Sequence, residues 1–177
     1  ANIQELVLDL RYNGGGLLAL ASQLGYMLAG PQVIQNRIFE KTVFNDKYNN
    51  INPITGQAVT PMPFINLAID YQQGQYTSEQ LPYLNLKRLF ILSTAGTCSA
   101  SEAIINGLRG VDMEVVLIGG KTCGKPYGFY SEDNCGTTYS TIQFGGLNAK
   151  NFGDFADGFR PTANPIYQAD VKGCAVA

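Results

Sequence analysis

A single α/β domain of strand–turn–helix units is the fold class this sequence predicts, and three observations predict it. Residues 4–10, 87–93 and 113–118 are short apolar runs bounded by turn residues, the pattern of strands buried on both faces of a parallel sheet. The first two lead into segments with apolar residues at helical spacing, so each reads strand, turn, helix. The first and third run into clustered glycines, Gly14-Gly15-Gly16 and Gly119-Gly120, which let the chain turn sharply at a strand end.

The elements follow in order. After the strand Gln-Glu-Leu-Val-Leu-Asp-Leu, a helix is predicted over 17–29, because Leu17, Leu20, Ala21, Leu24 and Leu28 share one face. Gly30-Pro31 stops it. Val33 to Phe44 reads as extended chain and 45–62, rich in Asn, Pro and Gly, as a surface loop. Residues 64–70 read as another strand, 71–84 as polar irregular chain. The strand 87–93 leads into a helix over 99–109, whose face of Ala100, Ala103, Ile104, Gly107 and Leu108 suits close packing. After the strand 113–118, residues 137–144 alternate as a strand does, and 145–165 carry the composition of a loop. No repeat or linker divides the 177 residues, an ordinary length for one domain. The ends read as those of a portion of a longer protein, with no signal peptide at the start.

Composition excludes several functions. Hydrophobic residues make up 45% of the chain and charged ones 15%, unlike a disordered sequence. A net charge of −2 supplies no basic stripe for nucleic acid and no polybasic membrane anchor. No apolar run is long enough to span a bilayer. There is no histidine, which rules out a Ser-His-Asp triad, a Cys-His pair or a His-ligated zinc site built from these residues. Cys98, Cys123, Cys135 and Cys174 include no C-x-x-C pair. The turn-like flanks of Cys123 and Cys135 predict a bridge between those two, and hence an oxidising compartment.

Three segments carry candidate chemistry. In Leu8-Asp-Leu-Arg-Tyr-Asn-Gly-Gly-Gly16 a strand meets three glycines and then a helix, so backbone N–H groups are free to face an oxyanion or carboxylate. The pattern fits neither a dinucleotide fingerprint nor a P-loop. In Thr97-Cys-Ser-Ala-Ser-Glu102, Ser99 and Glu102 have the spacing of a capping box. Ser99 also stands where a nucleophile gains from the next N–H at a helix start. In Gly119-Gly-Lys-Thr-Cys-Gly-Lys-Pro126, two lysines sit on a turn beyond a strand. Without histidine, a lysine is the available general base for a serine nucleophile. Such a base must be neutral, whereas a free lysine at pH 7 is neutral in roughly one molecule in 2,500, so apolar neighbours are required. Tyr127 and Phe129 are the nearest in sequence.

Together L-V-L-D-L-R-Y-N-G-G-G, C-S-A-S-E-A-I-I-N-G-L and I-G-G-K-T-C-G-K-P resemble, in order and spacing, the motifs of the tail-specific, or C-terminal processing, serine peptidases (peptidase family forty-one). The resemblance covers about residues 3–130, and the segment from Tyr127 to Pro161 looks like that of a bacterial subgroup. It implies a serine endopeptidase with an α/β core of strand–strand–helix units like that of crotonase and Clp protease. It implies Ser99 as nucleophile, Lys125 rather than Lys121 as general base, and the N–H groups of Gly16 and Ala100 as oxyanion donors, with Gly15 as the alternative to Gly16. The substrate implied is an extended or unfolded polypeptide; no metal or organic cofactor is implied, and the compartment is periplasmic or secreted. Two features depart from the family pattern: no PDZ module is read here, and Phe129 stands where many members carry a glutamine that orients the lysine. The second departure leaves open an inactive member that binds peptide or saccharide.

Overall fold

The computed structural model describes residues 3–48 and 51–161. At its centre β1 (Val7–Asp9), β6 (Arg88–Ser93) and β7 (Glu114–Gly119) form a parallel sheet in the order β1-β6-β7. Val7, Leu8 and Asp9 pair with Phe90, Ile91 and Leu92, and Leu89 to Ser93 continue onto Val115 to Gly119. The three predicted strands are therefore present and parallel. Burial on both faces is not: β6 alternates buried and half-buried residues, and β1 is an edge strand that leaves Val7 exposed.

The helix α2 (Ala100–Gly110) follows β6 and is buried nearly all round, with only Arg109 half-exposed. Its narrow small-residue face was legible, but its polar residues Ser101, Glu102 and Asn106 are buried as well. Leu89, Ile91, Ile105, Leu108 and Leu117 form the dry centre between sheet and helix. A buried leucine or isoleucine contributes about 2 kcal/mol relative to its exposed state, so this cluster anchors the β6–α2–β7 unit.

The helix α1 (Leu18–Ile34) packs on α2 and breaks at Gly30, whose φ of 73° and ψ of 166° are not helical, with Pro31 beyond it. The predicted face is rotated. Leu17 and Leu20 are exposed, while Ser22 and Gln23 are buried together with Ala21 and Leu28. Local hydrogen bonding accounts for this: Ser22 Oγ donates to Pro63 O and accepts from Ile65 N–H, and Gln23 Nε2 donates to Leu67 O. Such partners offset the desolvation of a buried hydroxyl or amide.

A second, antiparallel sheet runs in the order β3-β2-β11-β8, from β2 (Ile38–Val43), β3 (Met62–Pro63), β8 (Tyr127–Gly128) and β11 (Phe144–Leu147). Glycine fixes its approach to the helix: a Cβ on Gly107 of α2 would stand 2.6 Å from the Phe39 ring. A small hairpin joins β4 (Leu67–Asp70) to β5 (Gln75–Gln80), and another joins β9 (Glu132–Asn134) to β10 (Thr137–Tyr139). Strand β5 lies in the stretch read as irregular. Its residues, Gln-Tyr-Thr-Ser-Glu-Gln, are nearly all exposed, so no apolar alternation marks it.

Candidate active site

Ser99 sits at the joint between β6 and α2, in a backbone conformation of φ 55° and ψ −117°. A positive φ on a non-glycine residue costs about 1–3 kcal/mol and persists only where its surroundings enforce it. They do so here. Ser99 N–H donates to Glu102 Oε2 at 3.0 Å, and Glu102 and Ala103 N–H both donate to Ser99 O. Gly15, at φ 108°, packs directly on this turn: a Cβ there would lie 2.7 Å from Ser99 Cβ and 3.0 Å from Ala100 N.

The glycine run is docked on α2 by two side chains. Asn13 Oδ1 accepts from Gly15 N–H (3.0 Å) and from Ser101 Oγ (2.8 Å), and Asn13 O accepts from Cys98 N–H (3.2 Å). Ser101, the second serine of the motif, is thus buried and engaged, whereas Ser99 lines a cavity of about 540 Å³ together with Gly14, Gly16 and Lys125. Gly15 N–H is occupied by Asn13. Among the described residues, Gly16 N–H and Ala100 N–H make no hydrogen bond. Two free N–H groups beside a serine at a helix start can receive developing negative charge.

Glu102 ties the serine turn to the lysine loop. Its fully buried carboxylate accepts from Thr122 Oγ1 (2.6 Å), Gly124 N–H (2.9 Å) and Lys125 N–H (2.8 Å), besides Ser99 N–H. The carboxylate is acceptor-only and surrounded by donors. Thr122, also fully buried, accepts from Phe159 N–H, while its own N–H donates to Phe159 O. The close fit continues at two glycines: a Cβ on Gly124 would meet Ala156 O at 2.1 Å, and one on Gly158 would meet Thr122 O at 2.1 Å. Sequence reading placed Glu102 only as a helix cap and did not find Thr122; the T-x-G-K spacing that puts Thr122 three residues before Lys125 was the available signal.

Lys125 is half-buried. Its ammonium lies over the Phe129 ring, 5.0 Å from the centroid, and makes no hydrogen bond to Ser99 Oγ. Lys121 is exposed and does not line the cavity. The structure therefore gathers Ser99, Gly16 and Lys125 around one opening, with Ala100 N–H beside them, and leaves Lys121 outside.

The disulfide differs from expectation. Cys98 is bonded to Cys123, with Cα atoms 5.3 Å apart, and Cys135 is free and exposed. Cys174 lies outside the described residues. The expected Cys123–Cys135 pairing rested on the turn-like flanks of those two residues. The chain instead places Cys135 at the tip of the β9–β10 hairpin, while Cys123 N–H donates to Thr97 O, which brings it beside Cys98. Cys98, Glu102 and Cys123 are near enough to suggest a metal site. Two sulfurs bonded to each other offer no thiolate, and the Glu102 oxygens are filled by donors.

The bridge joins the residue before Ser99 to the residue two before Lys125. Reduction should therefore lower stability by about 3.5 kcal/mol in the chain-entropy treatment. It should also lower any turnover at Ser99, by up to about a hundredfold, the scale of a misplacement near 1 Å. Melting temperature and turnover before and after dithiothreitol check this; if both are unchanged, the bridge clamps nothing.

One further group faces the cavity. Glu40 on β2 is 7% exposed and has its carboxyl laid against Gly146, where a Cβ would stand 2.4 Å from Glu40 Cδ. Burial pushes its pKa up from 4.5 to about 7.

Comparison with known proteins agrees with the motifs. A putative S41 protease from Bacteroides fragilis is similar at 31% identity and a TM-score of 0.69, over 91% of this chain and 37% of that one. The photosystem II D1 C-terminal processing protease is similar in fold at 20% identity and a TM-score of 0.57, over 91% of this chain and 34% of that one. A lipoprotein from Streptococcus agalactiae shares the fold at 15% identity and a TM-score of 0.60, over 94% and 52%. The chain thus spans about a third to a half of the length of these structures. Among curated proteins none matches. The model of peptidase family S41 matches residues 1–129, which hold the glycine run, Ser99, Glu102 and Lys125, and the chain belongs to that family.

Proposed function

We propose that this chain is the catalytic core of a serine endopeptidase that cleaves extended or unfolded polypeptides with a Ser99–Lys125 dyad. The observation that carries the reading is the strained Ser99 at the start of α2, sharing its cavity with Lys125 and flanked by the unoccupied N–H groups of Gly16 and Ala100. Ser99 Oγ attacks the peptide carbonyl carbon while the neutral Lys125 amine takes its proton. The carbonyl oxygen becomes an oxyanion held by Gly16 and Ala100 N–H. The C–N bond then breaks, Lys125 returns the proton to the leaving amine, and water hydrolyses the acyl-enzyme by the same route. No cofactor enters this scheme. The crotonase- and Clp-like relationship, the larger protein around this core and a periplasmic or secreted location belong to the same reading, the last supported by the Cys98–Cys123 bridge.

The Phe129 contact adds a step. With its Nζ over the Phe129 ring and not bonded to Ser99 Oγ, the Lys125 side chain would have to turn toward Ser99 as substrate enters. The same contact favours, as a second reading, an inactive member that only binds peptide. A fluorophosphonate probe separates the two. Covalent labelling of the parent, lost in Ser99→Ala and kept in Ser101→Ala, is the expected result. An unlabelled parent that still binds unfolded protein supports the second reading.

A further inference from the structure

Resting on the peptidase reading, we infer that the cavity beside Ser99 is a subsite for a basic side chain of the substrate, with Glu40 as the group that selects lysine or arginine next to the scissile bond. Glu40 is more than nine-tenths buried, yet among the described residues it has no hydrogen-bond or salt-bridge partner. Its side chain is thus mostly withdrawn from water with no partner among the described residues, while the residue lines the open cavity, where an entering cation could pair with it. It faces the same cavity as Ser99 and Lys125. Gly146, on the same cavity wall, leaves room for it, since a Cβ there would stand 2.4 Å from Glu40 Cδ.

The rest of the cavity suits the stem of such a side chain. Leu18, Met62, Phe144 and Phe155 contribute apolar wall, which would cover a chain of three or four methylenes and leave its charged head at the carboxyl. Ala103, one helical turn beyond Ser99, lines it too. Burial holds the empty site's carboxyl partly protonated near neutrality; an entering ammonium or guanidinium favours the ionised form and pairs with it. A neutral apolar side chain would fill the walls but leave Glu40 unpaired, and an acidic one would meet repulsion.

The test uses the Ser99→Ala protein, which binds without cleaving, and three peptides that differ only at the residue before the scissile bond: lysine, norleucine or glutamine. The lysine peptide should bind about tenfold or more tightly than the norleucine peptide, and adding Glu40→Gln should bring that ratio to about one. Equal affinities in the Ser99→Ala protein, tightest binding of the glutamine peptide, or a ratio that survives Glu40→Gln would each overturn the subsite. A second measurement needs no change at Glu40: n-butylammonium should compete with the lysine peptide and 1-butanol should not, and equal competition overturns the proposal. The parent enzyme separates this inference from the reading beneath it. Lysine-selective binding without cleavage of any peptide supports the subsite and counts against the peptidase. Cleavage with no preference for lysine or arginine supports the peptidase and overturns the subsite.

Discussion

Lys125→Ala should lower turnover of an unfolded protein substrate by about three to four orders of magnitude, and Ser99→Ala by at least as much. Among the described residues, removing the base leaves the Glu40 carboxyl, which burial leaves partly protonated near pH 7, as the remaining carboxyl or amine lining the cavity with Ser99. Stability should change little. The Lys125 bond to Glu102 is made by the backbone N–H and survives in the alanine variant. The loss is the contact with the Phe129 ring, worth about 0.5–1 kcal/mol at a partly exposed site. A fall in melting temperature of a few degrees at most, with turnover gone, is the pattern of a lost base. Lys121→Ala should behave as the parent, because that side chain is exposed and away from the cavity. Turnover by Lys125→Ala within tenfold of the parent, or its loss in Lys121→Ala, would show that the proton goes elsewhere.

Glu102→Ala should remove both activity and much of the stability. Four donors, Ser99 N–H, Gly124 N–H, Lys125 N–H and Thr122 Oγ1, would lose their acceptor in a dry interior. Buried polar groups stripped of a charged partner cost about 3–5 kcal/mol together, or roughly 10 °C in melting temperature for a chain of this size. Glutamine separates positioning from folding. Its single amide oxygen can keep part of the set, but its NH₂ would face donors, so Glu102→Gln should regain part of the stability and little of the activity. The effect should appear chiefly in kcat, because Glu102 positions Ser99 and Lys125 without lining the cavity itself. A Glu102→Ala protein that melts with the parent and cleaves at its rate would mean that the serine turn and the lysine loop hold each other without this carboxylate.

Much of this protein was determined by local sequence. Three short apolar runs marked the parallel strands, because a strand is recorded by a few consecutive residues, although only β6 is central and β1 and β7 are edges. Gly30-Pro31, read as a stop, marks a kink instead: Gly30 is non-helical, but helical structure resumes beyond it to Ile34, since proline is tolerated at the first turn of a helix. The glycine run and Ser99 stand out by residue type and spacing and Lys125 by the family resemblance; Gly14, Gly16, Ser99 and Lys125 line one cavity.

Tertiary structure decided the rest. The pairing of Cys98 with Cys123 follows from where two loops meet, a separation of 25 residues that flanking turns do not encode. The role of Glu102 was hidden because a helix cap and a clamp on a distant loop use the same residue at the same spacing. Ser22 and Gln23 are buried against the backbone of 63–67, which rotates α1 away from the face its leucines suggested. Phe159, beyond the stretch matched by the family, holds Thr122 and so the lysine loop. Glu40 reads in the sequence as one more charge in an extended segment; only the packing of β2 on α2 and the missing side chain of Gly146 turn it into a buried, unpaired carboxyl at the cavity wall. Short-range pattern records what the backbone can do locally, whereas the environment of a charge is set by chain segments a hundred residues away.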